Sequence, residues 1–224
     1  MSLAAPAVAH AQLSGHVALL SDYRYRGESL SDRQPALQGG LDYQHSSGIF
    51  IGGLASTVRL DPEVSGLGGQ IYGGYAHALN ERTSWEVGAT TFLFPRPTTG
   101  PSYQYTEGFL GITYENLNAR AYYSDNYYGT GASAVYVELN AAHQLTSRIV
   151  LLGHVGYLGH HQPRPSYGAD QDSPVLDFKA GVGIEALGFT FELSVIGTTA
   201  PHDSCPAGTD HCNTTVVVGV SRRF

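Results

Sequence analysis

Eleven charged residues of this 224-residue chain could together line a polar passage. They are Asp22, Arg24, Arg26, Arg59, Glu86, Glu107, Arg120, Glu138, Asp177, Lys179 and Glu192. Each shares the phase of an alternating segment with other polar residues, while the positions between are apolar or glycine. Arg24, Arg26 and Arg59 on one wall, facing Glu86, Glu107 and Glu138 on another, would orient water and polar solutes across a constriction. The same charges could instead neutralise one another and plug the space, because buried charges pair. Hydrolytic chemistry is the rival. A lipase-like site needs Ser and His side by side. The register turns His45, His77 and His143 outward near one rim and Ser21 and Ser56 outward near the other, so none pair. His160 and His161 with Asp170 and Asp172 could converge as in a protease, but a polar surface loop accounts for them. His154 beside Asp177 or Lys179 reads as a hydrogen-bonding group rather than a base. No phosphate loop or C-x-x-C pair is present. Cys205 and Cys212 enclose six residues, and a disulfide there would contribute about 2–3 kcal/mol and would persist only in an oxidising compartment. Their spacing with His202 and His211 matches no common zinc pattern. No catalytic residue, metal or cofactor is expected.

The elements that must position these charges follow from period-2 alternation. In Leu13 to Arg26, Val17, Leu19, Tyr23 and Tyr25 share one face, and His16, Asp22, Arg24 and Arg26 the other. Ala36 to Gln44 repeats the pattern, with Leu37, Leu41 and Tyr43 opposite Gln38, Asp42 and Gln44. Further segments fall at 49–59, 70–79, 84–94, 104–114, 118–125, 133–144, 149–160, 174–185, 188–197 and 214–224, making twelve. Short turns near 46–48, 80–82, 115–117, 146–147 and 186–187 alternate with longer loops at 27–34, 60–69, 95–103, 126–132, 161–173 and 198–213. This rhythm predicts an all-β fold: a closed antiparallel transmembrane β-barrel of 12 strands, with short periplasmic turns, longer extracellular loops and both termini periplasmic. A soluble sandwich has no reason to alternate its turn lengths.

Composition agrees. Charged residues make up 14% of the chain, against about 25% in an average soluble protein. Gly numbers 28 and Tyr 15, and 42% of residues are hydrophobic, too many for a disordered chain. No run approaches the roughly 18 apolar residues of a membrane-spanning helix. A net charge of −7 gives no footprint for nucleic acid. The register sends eight acids inward, the six above with Asp42 and Glu185, and six bases, the five above with Arg223. No charge is then left in the middle of the lipid-facing band, where a base would cost about 2–4 kcal/mol. Tyr23, Tyr25, Tyr127, Tyr128 and Tyr157 are expected in an outer girdle, and Tyr43, Tyr75, Tyr114 and Trp85 in an inner one. Centring a hairpin on 126–132 sets Arg120 opposite Glu138, both inward, as a cross-strand pair. Ala9-His10-Ala11 has the form of an export cleavage site, so 1–11 reads as the remnant of a signal peptide and 12–224 as the barrel.

Two blocks resemble a known family. Ser21-Asp22-Tyr23-Arg24-Tyr25-Arg26-Gly27 with Pro35-Ala36-Leu37-Gln38-Gly39-Gly40-Leu41-Asp42-Tyr43 is similar to the opening of the TorF-type porins, also known as a Gcw-type conserved hypothetical outer-membrane family of proteobacteria. Tyr122 to Gly131, running on to Tyr136-Val137-Glu138-Leu139-Asn140, resembles its second block. The resemblance implies an outer-membrane barrel without an established substrate. The chain end, with Val216, Val218, Val220 and a terminal Phe224, resembles outer-membrane proteins generally. In those proteins the last aromatic is associated with recognition by the barrel-assembly machinery. Arg222 departs from that alternation, though a base at a rim can reach the interface. The expected partners are the bilayer, lipopolysaccharide, the assembly machinery and small polar solutes. The expected function is a channel for small polar solutes or ions. It should be weakly cation-preferring, since the long loops sum to −6 and the lumen to −2. The arginines at 24, 26 and 59 could instead form a local anion site. A non-conducting or ligand-binding barrel with a charge-plugged lumen is the alternative, and a hydrolase the remoter one.

Overall fold

A computed structural model describes residues 12–60, 64–97, 102–160, 174–200 and 210–224. Twelve strands make up the wall: β1 (Gln12–Leu20), β2 (Ala36–Gln44), β3 (Ile49–Arg59), β4 (Ser65–Ala78), β5 (Thr83–Leu93), β6 (Tyr105–Tyr114), β7 (Leu117–Ser124), β8 (Ala134–Gln144), β9 (Ile149–His160), β10 (Val175–Ala186), β11 (Phe189–Thr198) and β12 (Thr215–Arg223). Each pairs antiparallel with its neighbours in sequence, and β1 closes on β12. Closure leaves no row of unpaired backbone groups, a requirement for strands in lipid. Leu37, Ile51, Leu110, Val155, Leu176 and Val216 are all more than half exposed on the outer face. In water such a band would be a liability; around a barrel it is the surface that meets acyl chains.

Turn chemistry produces the expected rhythm. Short turns occupy 45–48, 79–82, 115–116, 145–148 and 187–188. At 187–188 both Leu187 and Gly188 have positive φ, 56° and 78°, which makes a type I′ hairpin whose twist matches the strands. β1 begins and β12 ends beside the 45–48 turn, with Gln12 opposite Gln44 and His16 opposite Arg223. Both ends of the barrel chain therefore lie at the short-turn rim. There Phe224 exchanges two backbone hydrogen bonds with Gly15, at 2.8 and 3.0 Å. Its ring covers Gly15, where a Cβ would come within 2.7 Å of it. Arg222 lies with its guanidinium 5.5 Å from the Phe189 ring, a cation–π contact that accommodates a base at this outward position. Tyr75, His77 and Trp85 cluster on the outer face at the same rim, with centroids 5.8–6.4 Å apart, as an inner girdle requires.

Three expectations need correction. The first strand stops at Leu20, not at Arg26. The chain bends at 21–22, and residues 24–25 and 28–29 pair as a separate small hairpin turned by Arg26 and Gly27, with φ of 52° and 78°. β4 begins at Ser65, so only 60–64 separate it from β3. Finally, Tyr23, Tyr25, Tyr127 and Tyr128 do not join an outer girdle. The 21–35 loop and the 3-10 turn Tyr127–Gly129 fold inward and put these rings into the interior, while Tyr157 does face out. Alternation assigns faces only while a residue remains in the sheet, and these four have left it.

The interior behind the long-loop rim is consequently packed. Leu30, Val58, Leu60, Phe92, Phe94, Tyr105, Phe109, Tyr122, Tyr127, Tyr128, Tyr136 and Leu158 form one buried cluster, joined by Tyr23, Tyr25 and Phe50. Phe92 and Tyr105 stack at 4.5 Å, and Tyr105 meets Tyr127 and Tyr128 at 5.0 and 4.9 Å. Such pairs add about 0.5–1.5 kcal/mol each beyond the area they bury.

Candidate functional site

The inner surface and the loop that occupies it form the candidate site. Asp22 organises the loop. Its carboxylate accepts hydrogen bonds from Ser29 Oγ (2.6 Å), Ser31 Oγ (3.2 Å) and Arg24 Nε (2.7 Å). Arg24 Nη1 donates to the carbonyls of Gly27 and Asn213, at 2.8 and 2.6 Å, tying the loop to the segment that leads into β12. His211 Nε2 meets Asp32 Oδ1 at 3.0 Å from the same segment. Leu30 continues the end of β3, donating to Tyr23 O and accepting from the Arg59 amide. The loop is thus fastened to the end of β3 and to the segment before β12.

Arg26 reaches across. Nη1 and Nη2 donate to Glu107 Oε1 and Oε2 on β6, at 2.8 and 2.7 Å, in a bidentate fork. The two side chains are 4% and 2% exposed. The guanidinium carbon lies 3.8 Å from the Tyr136 ring centre, with Tyr25, Tyr122 and Tyr127 at 4.8, 5.4 and 5.5 Å. Burial pushes the Tyr25 phenol well above its ordinary range, so this neighbour of Arg26 stays neutral. Behind the guanidinium, the backbone at Gly27 packs on Thr198 and Asp177 so closely that no Cβ would fit.

Polar side chains fill the remaining inner surface in pairs. Tyr136 Oη lies 3.1 Å from Asp177 Oδ2, and Asp177 Oδ1 lies 2.7 Å from His154 Nε2. His154 Nδ1 meets Asn140 Oδ1 at 2.7 Å. Each imidazole nitrogen thus has a polar partner on the wall, the place of a hydrogen-bonding group. Arg120 Nε meets Glu86 Oε1 at 2.6 Å, Lys179 Nζ meets Glu192 Oε1 at 2.6 Å, and Tyr72 donates to Asp42. Glycines on the wall make the room. A Cβ on Gly111 would meet the Glu86 carboxylate at 2.7 Å, and one on Gly156 would overlap the Tyr136 hydroxyl and Asp177. The loop-borne pairs are sealed, whereas the Arg120–Glu86 and Lys179–Glu192 side chains are 15–31% exposed.

Most candidate charges therefore face inward, but not as two opposed walls. Arg24 pairs with Asp22 on its own loop. Arg26 has crossed to Glu107 and collapsed the separation that would sustain a transverse field. Arg59 is exposed and shares the outward phase of Ile51 and Ala55, so it lies outside the lumen. Ser56, expected outward, is buried on the inner face. Arg120 and Glu138 do stand opposite each other across β7 and β8, both inward. Their side chains do not meet, because the guanidinium turns to Glu86 and Glu138 accepts from Tyr122 Oη at 3.1 Å. Cys205, His161, Asp170, Asp172 and His202 lie outside the described residues, while Cys212 is buried. Among the described residues, no three His, Cys, Asp or Glu side chains gather as a metal site. The tyrosines at 72, 105, 122 and 136 escaped the sequence reading as lumen partners. Their signal was present, since 105, 122 and 136 share the phase of Glu107, Arg120 and Glu138.

The family model described as a bacterial protein of unknown function, Gcw_chp, matches residues 4–224. No curated protein matches in sequence. Among solved structures, the barrel is similar to a KdgM porin (TM-score 0.55, 10% identity, 94% of this chain and 99% of that one). It is also similar to a NanC porin (0.57, 11%, 94% and 98%) and to an outer-membrane channel from Pseudomonas putida F1 (0.53, 13%, all of both chains).

Proposed function

This chain belongs to the Gcw_chp family of bacterial proteins, and from that membership and the lumen's geometry we propose that it is a porin-like channel. As a closed twelve-stranded barrel of the bacterial outer membrane, it would pass small polar solutes or ions, and the 21–35 loop would be its occluding element. One observation carries the reading. Inside a continuous apolar outer band runs an inner surface of ionised pairs, two of them partly exposed, an arrangement with no use in a barrel serving only as a lipid anchor. The preference should be for cations. Ten carboxylates lie on the lumen wall or its loop against six bases once Arg59 is placed outside, and a lumen of one sign concentrates the opposite ion. The same reading takes 1–11 as the remnant of an export signal and Cys205–Cys212 as a disulfide made in an oxidising compartment. Phe224 would be the mark for the assembly machinery, and lipopolysaccharide the outer-leaflet neighbour.

The packed aromatic interior favours a second reading, a permanently sealed barrel. Planar-bilayer recording separates the two. The refolded wild type should open rarely, and a variant with 23–33 replaced by a short Gly-Ser linker should conduct steadily, with a cation-selective reversal potential in a salt gradient. A folded, loop-shortened barrel that stays silent would overturn the channel reading; an anion-selective one would overturn the charge argument.

A further inference from the structure

Arg26 is held as a ligand would be held. Its guanidinium fork meets a carboxylate through two short parallel hydrogen bonds, the planar match that makes guanidinium–carboxylate recognition specific. One ring face stacks on it at 3.8 Å, and three more aromatic rings stand within 5.5 Å. Of these partners, Glu107, Tyr122 and Tyr136 belong to the wall strands β6, β7 and β8. They would remain in place if the loop withdrew, leaving a buried carboxylate between aromatic faces. Glu138 stands beside them on Tyr122, and Asp177 lies behind Tyr136. The tethered occupant is also an imperfect one. Arg26 Nε is buried without a partner, and its backbone sits at φ 52°, the left-handed region a non-glycine residue enters at a cost.

We propose that the pocket formed by Glu107, Tyr122 and Tyr136 is a binding site for small guanidinium or alkylammonium solutes, and that Arg26 fills it as a built-in competitor. A free cation of this class would take the carboxylate and the aromatic faces, displace Arg26 and release the loop, so that the passing solute opens its own route. This site deepens the channel reading and rests on it for access to the lumen.

The test uses full-length Arg26→Ala, refolded and shown to be a barrel by its heat-modifiable mobility, with methylguanidinium chloride as the probe at millimolar concentration, far below denaturing levels. Current through Arg26→Ala should fall at least twofold, and Arg26→Ala/Glu107→Gln should need about tenfold more probe for the same block. Potassium chloride of equal ionic strength should block neither. A conducting Arg26→Ala that ignores the probe, or a double variant blocked equally well, would overturn the site and leave the channel standing. If folded Arg26→Ala is silent, its loop is held by the aromatic packing and the remaining ties of Arg24 and Asp32, and the channel reading is decided by the loop-shortened variant. The site is then judged by thermal midpoint, with support from a rise in Arg26→Ala absent from the double variant and refutation from no rise. Should Arg26→Ala not fold, the probe added to wild type should raise the midpoint or the frequency of openings several-fold; if both stay constant, the site is refuted.

Discussion

Glu107→Gln is the substitution that most directly tests what keeps the loop in place. The glutamine preserves shape and one acceptor but removes the negative charge, leaving the Arg26 cation almost wholly enclosed with half of its fork. Breaking a buried pair at one partner costs about 3–5 kcal/mol. The retained acceptor and the four aromatic faces offset part of this, and a net loss of about 2–3 kcal/mol is expected to fall on the loop-in state alone. At about 1.4 kcal/mol per tenfold, the loop-out population should rise roughly 30- to 150-fold. Single-channel recording at fixed voltage reads this as open probability, with the conductance of each opening nearly unchanged because the wall is intact. A folded Glu107→Gln barrel with wild-type open probability would refute the reasoning. The loop would then be held by its aromatic packing and by the ties of Arg24 and Asp32, with the ion pair contributing nothing to closure.

Three further outcomes are expected. Gly156→Ala would force a methyl group into the space of the Tyr136 hydroxyl and Asp177 carboxylate, and should lower barrel stability by about 1–3 kcal/mol, seen as a reduced melting midpoint in heat-modifiability gels. Lys179→Met removes the base from a partly exposed pair and leaves Glu192 uncompensated, so in the loop-shortened background the reversal potential should move further toward the cation limit. Arg59→Ala in that background should leave the reversal potential where it was, since Arg59 faces outward; a shift as large as that of Lys179→Met would mean the placement of Arg59 is wrong.

The wall was legible in the sequence because its signal is local and repeated. Leu37-Gln38 through Tyr43-Gln44 announces its two faces within nine residues, and the Leu187-Gly188 hairpin marks its own turn. The pairing of 120 with 138 followed from one hairpin centre. The plug was not legible, for a physical reason. Tyr23, Arg24, Tyr25 and Arg26 keep perfect alternation after the chain has left the sheet at Ser21, and nothing local distinguishes a strand that continues from one that folds back into its own barrel. Arg26 chooses Glu107 because β6 happens to stand across the lumen, a relation 81 residues away that no period encodes. Arg59 was misassigned for a lesser reason: it is the last residue of a strand whose inward phase, Ser56 and Val58, is set by packing under the loop.

The fastening of the 21–35 loop has a consequence for how the molecule is made. Its ties run to Glu107 near the middle of the chain and to His211 and Asn213 near its end, so the loop closes only when the last strand has arrived. Contacts of such sequence separation are slow to form, because chain entropy is lost before they can contribute. During assembly, the nascent sheet therefore exposes an aromatic inner surface with nothing to cover it, the kind of surface through which folding intermediates aggregate. The loop is seated at the last step of folding, and a chain stalled before β12 pairs with β1 would be both sticky and leaky.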